Sequence, residues 1–138
     1  MYLDSNVLIY FLDADPTFLP AAERLLTLAS TGNFRAVTGD LSVTEILVFP
    51  LAVGDLPAVE RVSDFLASGL VDIRSHTREA FEVVARIRAA HRTSLPDALH
   101  VATALTTGCT VLVTNDQRMP SVPGLEVVRL QELQQLDG

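Results

Sequence analysis

Short apolar runs alternate along this chain with longer stretches whose apolar residues recur every three or four positions. Met1 to Leu3, Arg35 to Thr38, Leu70 to Arg74, Thr110 to Thr114 and Glu126 to Leu130 predict five strands. Ser5 to Leu12, Phe18 to Ser30, Pro57 to Ala67, Arg78 to His91 and Asp97 to Thr106 read as helices. Leu25, Leu28 and Ala29 form one expected buried face, and Phe81, Val84, Ala85 and Arg88 another. Strands alternating with helices predict an α/β fold, a mainly parallel central sheet of about five strands with helices on both faces. Thr31-Gly32-Asn33, Val53-Gly54-Asp55 and Pro120 to Gly124 mark turns, and none is long enough for an interdomain linker. Residues 1–138 are therefore expected to form a single domain.

Composition narrows the function. Hydrophobic residues make up 49% of the chain, yet no apolar run approaches the roughly eighteen residues that span a bilayer. The N-terminus has no basic segment ahead of its apolar stretch, so a cytoplasmic protein without a membrane partner is expected. Cys109, the single cysteine, reads as a small core residue. A net charge of −7 opposes a nonspecific nucleic-acid coat protein. Carboxylates gathered around divalent cations would reverse that field locally. All ten basic residues are arginine. Without lysine, phosphoacceptor receivers, aspartyl-phosphate enzymes and P-loop nucleotide-binding proteins are excluded, and no Gly-rich dinucleotide fingerprint is present.

The acids fall at junctions between elements. Asp4 follows the first strand and opens a helix, and Asp116 follows the strand Val111-Leu112-Val113-Thr114. The carboxyl ends of parallel strands form the crevice in which α/β sheets bind ligands, so these two acids converge if their strands are neighbours. Glu45 and Asp97 each stand at the start of a helix after a loop. Each acid has a simpler reading. Ser42 with Glu45, and Ser94 with Asp97, have capping-box spacing, while Asp4 and Asp116 fit helix N-termini. Capping does not explain why all four positions carry carboxylates where Ser, Thr or Asn would serve.

Leu3-Asp4-Ser5-Asn6-Val7-Leu8-Ile9, Ser42-Val43-Thr44-Glu45-Ile46-Leu47, Leu95-Pro96-Asp97-Ala98-Leu99-His100-Val101-Ala102-Thr103-Ala104 and Val113-Thr114-Asn115-Asp116 resemble the successive motifs of PIN-domain nucleases. The short chain is similar in particular to the VapC toxins of bacterial toxin–antitoxin pairs. The resemblance runs from about residue 1 to about residue 130, and the order and spacing of its motifs are specific while each motif alone is loose. It implies a PIN-like fold, Mg2+- or Mn2+-dependent endoribonuclease activity, a homodimer, and inhibition by a small cognate antitoxin. Asp4, Glu45, Asp97 and Asp116 fall on the family's acidic positions, and Asn6 and Thr114 on positions that support them.

Oxygen ligands suit magnesium or manganese. Asp4 and Asp97 are the first choice as direct ligands, with Glu45 and Asp116 holding water or completing the site. Arg118 is close enough in sequence to Asp116 to face a phosphate, though an exposed loop arginine is more often simply solvated. His100 shares a helix face with Asp97 but continues an apolar run, which favours a hydrogen-bonded core histidine over a ligand. His76 and His91 lack ligand spacing, which argues against zinc. The alternative is a PIN-like module that binds RNA or protein without cutting, but clustered carboxylates without a cation are costly. The run Ile46 to Val53 is apolar around its circumference, marking a partner surface or core. Leu19, Ala22, Leu26 and Ile46 to Leu51 are the candidate antitoxin groove.

Overall fold

A computed structural model describes residues 1–135. β1 (Tyr2–Leu3) leads into α1 (Ser5–Leu12) and α2 (Leu19–Ser30), and β2 (Val37–Gly39) into α3 (Asp40–Val53) and α4 (Leu56–Ala67). β3 (Asp72–Arg74) is followed by α5 (Arg78–Ala90) and α6 (Leu95–Thr106), then β4 (Val111–Thr114), β5 (Glu126–Arg129) and α7 (Leu130–Gln135). The five strands form one all-parallel sheet in the order β3-β2-β1-β4-β5. The expected α/β architecture is present, and strand limits differ from the expected ones by one or two residues, as element ends commonly do.

The two-residue period of the strands divides the core into two layers. Tyr2, Val37 and Leu112 pack with Ala80, Val84 and Val101 of α5 and α6 on one face. Leu3 and Val113 pack with Val7, Leu8 and Leu26 of α1 and α2 on the other. Cys109 is buried, with its sulfur 3.7 Å from the Thr107 hydroxyl, as expected for a small core residue. No described helix is long and apolar enough to cross a membrane.

Three expectations are corrected and one helix is added. The buried face of α5 consists of Ala80, Val84 and Ile87, whereas Phe81 is 48% exposed and Ala85 and Arg88 are also exposed. α3 begins at Asp40, ahead of the expected cap at Ser42, and continues through Pro50 to Gly54, whose left-handed φ of 71° closes it. Ala22 and Leu26 are buried in the core, so they cannot line an open groove. α7 was not anticipated, because only six residues with little apolar periodicity form it.

Candidate metal centre

β1 and β4 are hydrogen-bonded neighbours, with Tyr2 opposite Leu112 and Leu3 opposite Val113, so Asp4 and Asp116 leave the sheet at the same edge. The Asp4 amide extends that ladder by donating to the Val113 carbonyl at 3.0 Å. Asp4 is 5% exposed and caps α1, its Oδ1 accepting from the Ser5 amide at 2.8 Å. Its Oδ2 accepts from the Thr114 hydroxyl at 2.7 Å and from Asn6 Nδ2 at 3.3 Å. Asn6 and Thr114 thus sit against Asp4 at the positions the resemblance assigned to supporting residues. Asp4 thus caps α1 and also accepts from the end of β4. Burial pushes its pKa up; His100, Thr114 and the Ser5 amide oppose the rise, and the Glu45 charge adds to it.

Asp116 does not head a helix. It lies in a turn, where its amide donates to Thr114 Oγ1 at 2.9 Å and its Oδ1 accepts from the Arg118 amide at 2.9 Å. Arg118 Nε also reaches Oδ1, at 3.2 Å, so in this arrangement the guanidinium pairs with Asp116. Burial alone would raise Asp116, but the hydrogen bonds and charge of Arg118 outweigh it and hold the carboxyl below its ordinary range. Arg129 donates to the Asp116 and Gln117 carbonyls, fixing the turn from β5.

Glu45 lies in the second turn of α3. Ser42 is inside this helix, its hydroxyl 2.7 Å from that of Thr38, which in turn donates to the Leu3 carbonyl at 2.8 Å. The expected Ser42–Glu45 capping box is absent because Ser42 is occupied in tying α3 to the sheet. His76 supplies the acceptor at the helix start, its Nε2 taking the Leu41 N–H at 2.9 Å. Nδ1 therefore carries the ring proton and donates to Thr103 Oγ1 at 2.7 Å. Gly39 makes room for this ring, since a Cβ there would lie 2.3 Å from His76 Cε1.

Asp97 occupies the first turn of α6, whose N-cap Ser94 accepts from the Asp97 amide at 3.2 Å. Burial, then the charge of Asp116, then that of Asp4, raise the Asp97 pKa against the Ser94 hydrogen bond. Glu45 thus acts on Asp4, and Asp4 and Asp116 act on Asp97.

His100 stands one turn after Asp97 and is 1% exposed. Its Nδ1 is 2.6 Å from the Tyr2 hydroxyl, and its Nε2 is 2.6 Å from Glu45 Oε1 and 3.6 Å from Asp4 Oδ1. It is a hydrogen-bonded core histidine, as expected, with Tyr2 and Glu45 as its partners. Burial opposes its protonation, while the Glu45 hydrogen bond and the charges of Asp4, Glu45 and Asp97 more than offset that and raise its pKa. Burial, followed by the Asp4 charge, pushes the Tyr2 phenol far up, keeping it protonated. Asp4, Glu45 and His100 each bring a ligand-capable atom within 4.8 Å of the others. The roles of Tyr2 and Arg129 were missed, and only the three-residue spacing of Asp97 and His100 hinted at the histidine's place.

These donors suit a hard divalent cation. The carboxylate oxygens are oxygen donors of the right class. Burial, with added charge from neighbouring carboxylates, raises Asp4 and Asp97, a cost that a bound cation would offset.

The fold is shared with solved toxin structures. The DNA-bound VapBC complex of Salmonella typhimurium matches with a TM-score of 0.73 at 18% identity, over 94% of this chain and 96% of that one. A toxin–antitoxin complex from Klebsiella pneumoniae gives a TM-score of 0.70 at 19% identity, with the same coverage of 94% and 96%. VapC20 of Mycobacterium tuberculosis, described as a toxin cleaving the sarcin–ricin loop, gives 0.63 at 17% identity, over 80% and 85% of the two chains. No curated protein matches the sequence. The PIN domain model matches residues 1–125, which include the ends of β1 and β4 and all four acids, and the chain belongs to the PIN domain family.

Proposed function

We propose that this protein is a divalent-metal-dependent endoribonuclease, the toxin of a toxin–antitoxin pair, with Asp4, Glu45, Asp97 and Asp116 as its catalytic carboxylates. The observation that carries the reading is that Asp4 and Asp116, following two adjacent parallel strands, meet Glu45 of α3 and Asp97 of α6, with Glu45 acting on Asp4 and both Asp4 and Asp116 acting on Asp97. Its toxin assignment draws on the VapBC complexes and the RNA-cleaving toxin that share the fold.

Asp4 and Asp97 are the residues to hold Mg2+ or Mn2+. Asn6 and Thr114 keep Asp4 oriented, and Glu45 and Asp116 border the same site. A divalent cation bound there supplies positive charge to the reacting phosphodiester and acidifies water. Arg118, whose side chain is 87% exposed, would exchange Asp116 for a phosphate oxygen when RNA enters. Product ends bearing 5′-phosphate and 3′-hydroxyl groups are expected.

The antitoxin would lay an apolar helix along α3. Phe49 and Pro50 line a groove with Ile9 and Leu12 that also reaches Glu45. The net charge of −7 suits a basic partner. A second copy of the chain would cover the remaining exposed residues of α3 and the start of α4. A cytoplasmic location fits an RNA substrate.

The test is incubation of purified protein with a mixed RNA pool, in chelator and after adding Mg2+ or Mn2+. Cleavage only with the ion is expected. Intact RNA under both conditions, from demonstrably folded protein, would leave a PIN domain that binds without cutting.

A further inference from the structure

We propose that Tyr2 and His100 form a buried relay that positions Glu45 beside Asp4, with His100 acting on the site through Glu45 and not as a metal ligand. The role matters for catalysis only if the metal-nuclease reading holds, on which it rests.

His100 Nε2 faces two acceptors, Glu45 Oε1 at 2.6 Å and Asp4 Oδ1 at 3.6 Å. A bare ring lone pair there would oppose two carboxylates, so Nε2 carries a hydrogen and donates it to Glu45. A protonated nitrogen has no lone pair for a cation. In the neutral ring, Nδ1 is left as an acceptor, and the Tyr2 hydroxyl 2.6 Å away supplies its donor.

The relay joins different parts of the fold. Tyr2 is in the central strand β1, His100 in α6 and Glu45 in α3. Tyr2 and His100 are 0% and 1% exposed, and their rings meet edge to face with centroids 5.7 Å apart. The Glu45 side chain is 32% exposed, so a rigid donor holds a flexible carboxylate at the rim of the site. Holding it beforehand removes the entropy cost of ordering three rotatable bonds when ion and RNA arrive. Partners of this kind typically change metal affinity or activity by about 10–100-fold when removed.

The experiment compares His100→Leu, His100→Asn and His100→Gln. Leucine removes both hydrogen bonds, and asparagine is too short to reach Glu45. Glutamine places an amide N–H near the Nε2 position. Cleavage should fall about 10–100-fold in the first two variants and recover largely in the third, with an unchanged KM for RNA. If His100→Leu fails to fold, Tyr2→Phe deletes a single oxygen and should lower the rate in the same sense. Nitrogen-15 NMR of the metal-free parent gives a readout independent of activity. It should show His100 with Nε2 protonated and its proton shifted downfield, a signal that moves in Glu45→Gln. Folded His100→Leu cleaving as fast as the parent, or a spectrum with Nε2 unprotonated, overturns the relay. If the parent cuts no RNA, the nuclease reading fails on its own and the NMR result still decides whether His100 holds Glu45.

Discussion

The Thr114 hydroxyl donates to Asp4 Oδ2 across 2.7 Å, joining the ends of two adjacent parallel strands at a buried carboxylate. With the Ser5 amide and Asn6 it gives Asp4 three donors. An asparagine in its place retains an oxygen for the Ser5 amide but loses the charge. Asp4→Asn should therefore keep the fold and lose at least about 100-fold in RNA cleavage, the scale on which removal of direct transition-state stabilisation acts. Relief of the costly buried charge and loss of the acceptor for Thr114 and Asn6 oppose each other, so thermal unfolding of the metal-free variant should occur near the parent's Tm. A folded variant with parental activity removes Asp4 from the site.

His76 gives a pH dependence at the start of α3, where Asp40 and Glu45 raise its pKa but burial and the His100 charge outweigh them. Burial is the main reason its pKa is lowered, which fits an Nε2 lone pair engaged by the Leu41 N–H. An unfolded histidine titrates near 6.5. The folded value is lower, so the stabilisation is complete above about 6.5 and is lost as pH falls toward the folded value, the unfolded chain taking up its proton first. The Tm gap between the parent and His76→Gln should be widest near pH 7.5 and narrow toward pH 5.5. A gap that stays constant over that range contradicts this role.

A second copy of the chain is expected on the exposed apolar surface at the end of α3 and the start of α4. Leu51, Val53 and Leu56 are 58%, 59% and 68% exposed, which is a large apolar area to leave in water. Light scattering should give twice the chain mass. Leu56→Asp should give the monomer with its fold intact, because an acidic residue at the first position of α4 favours that helix. A monomeric mass for the parent across a wide concentration range removes the dimer.

Much of the arrangement was legible because it follows local rules. The apolar runs marked all five strands, and the convergence of acids at strand ends follows from parallel topology. What was missed depends on contacts distant in sequence. The partners of His100 are 98 and 55 residues away, so its neighbours on α6 disclosed only that it was buried. Ser42 reads as a cap until Thr38 claims its hydroxyl. The face of α5 was misjudged because Phe81 outweighs Ala80 in apolar area, although α6 packs tightly enough to favour the smaller residue.

Calorimetric titration of Mn2+ into the metal-free protein tests, without relying on RNA, whether these carboxylates hold a divalent cation. The parent should show saturable binding, lost or weakened at least about 10-fold in both Asp4→Asn and Asp97→Asn. No saturable binding by the folded parent, or isotherms in both variants that overlay the parent's, would contradict the metal centre.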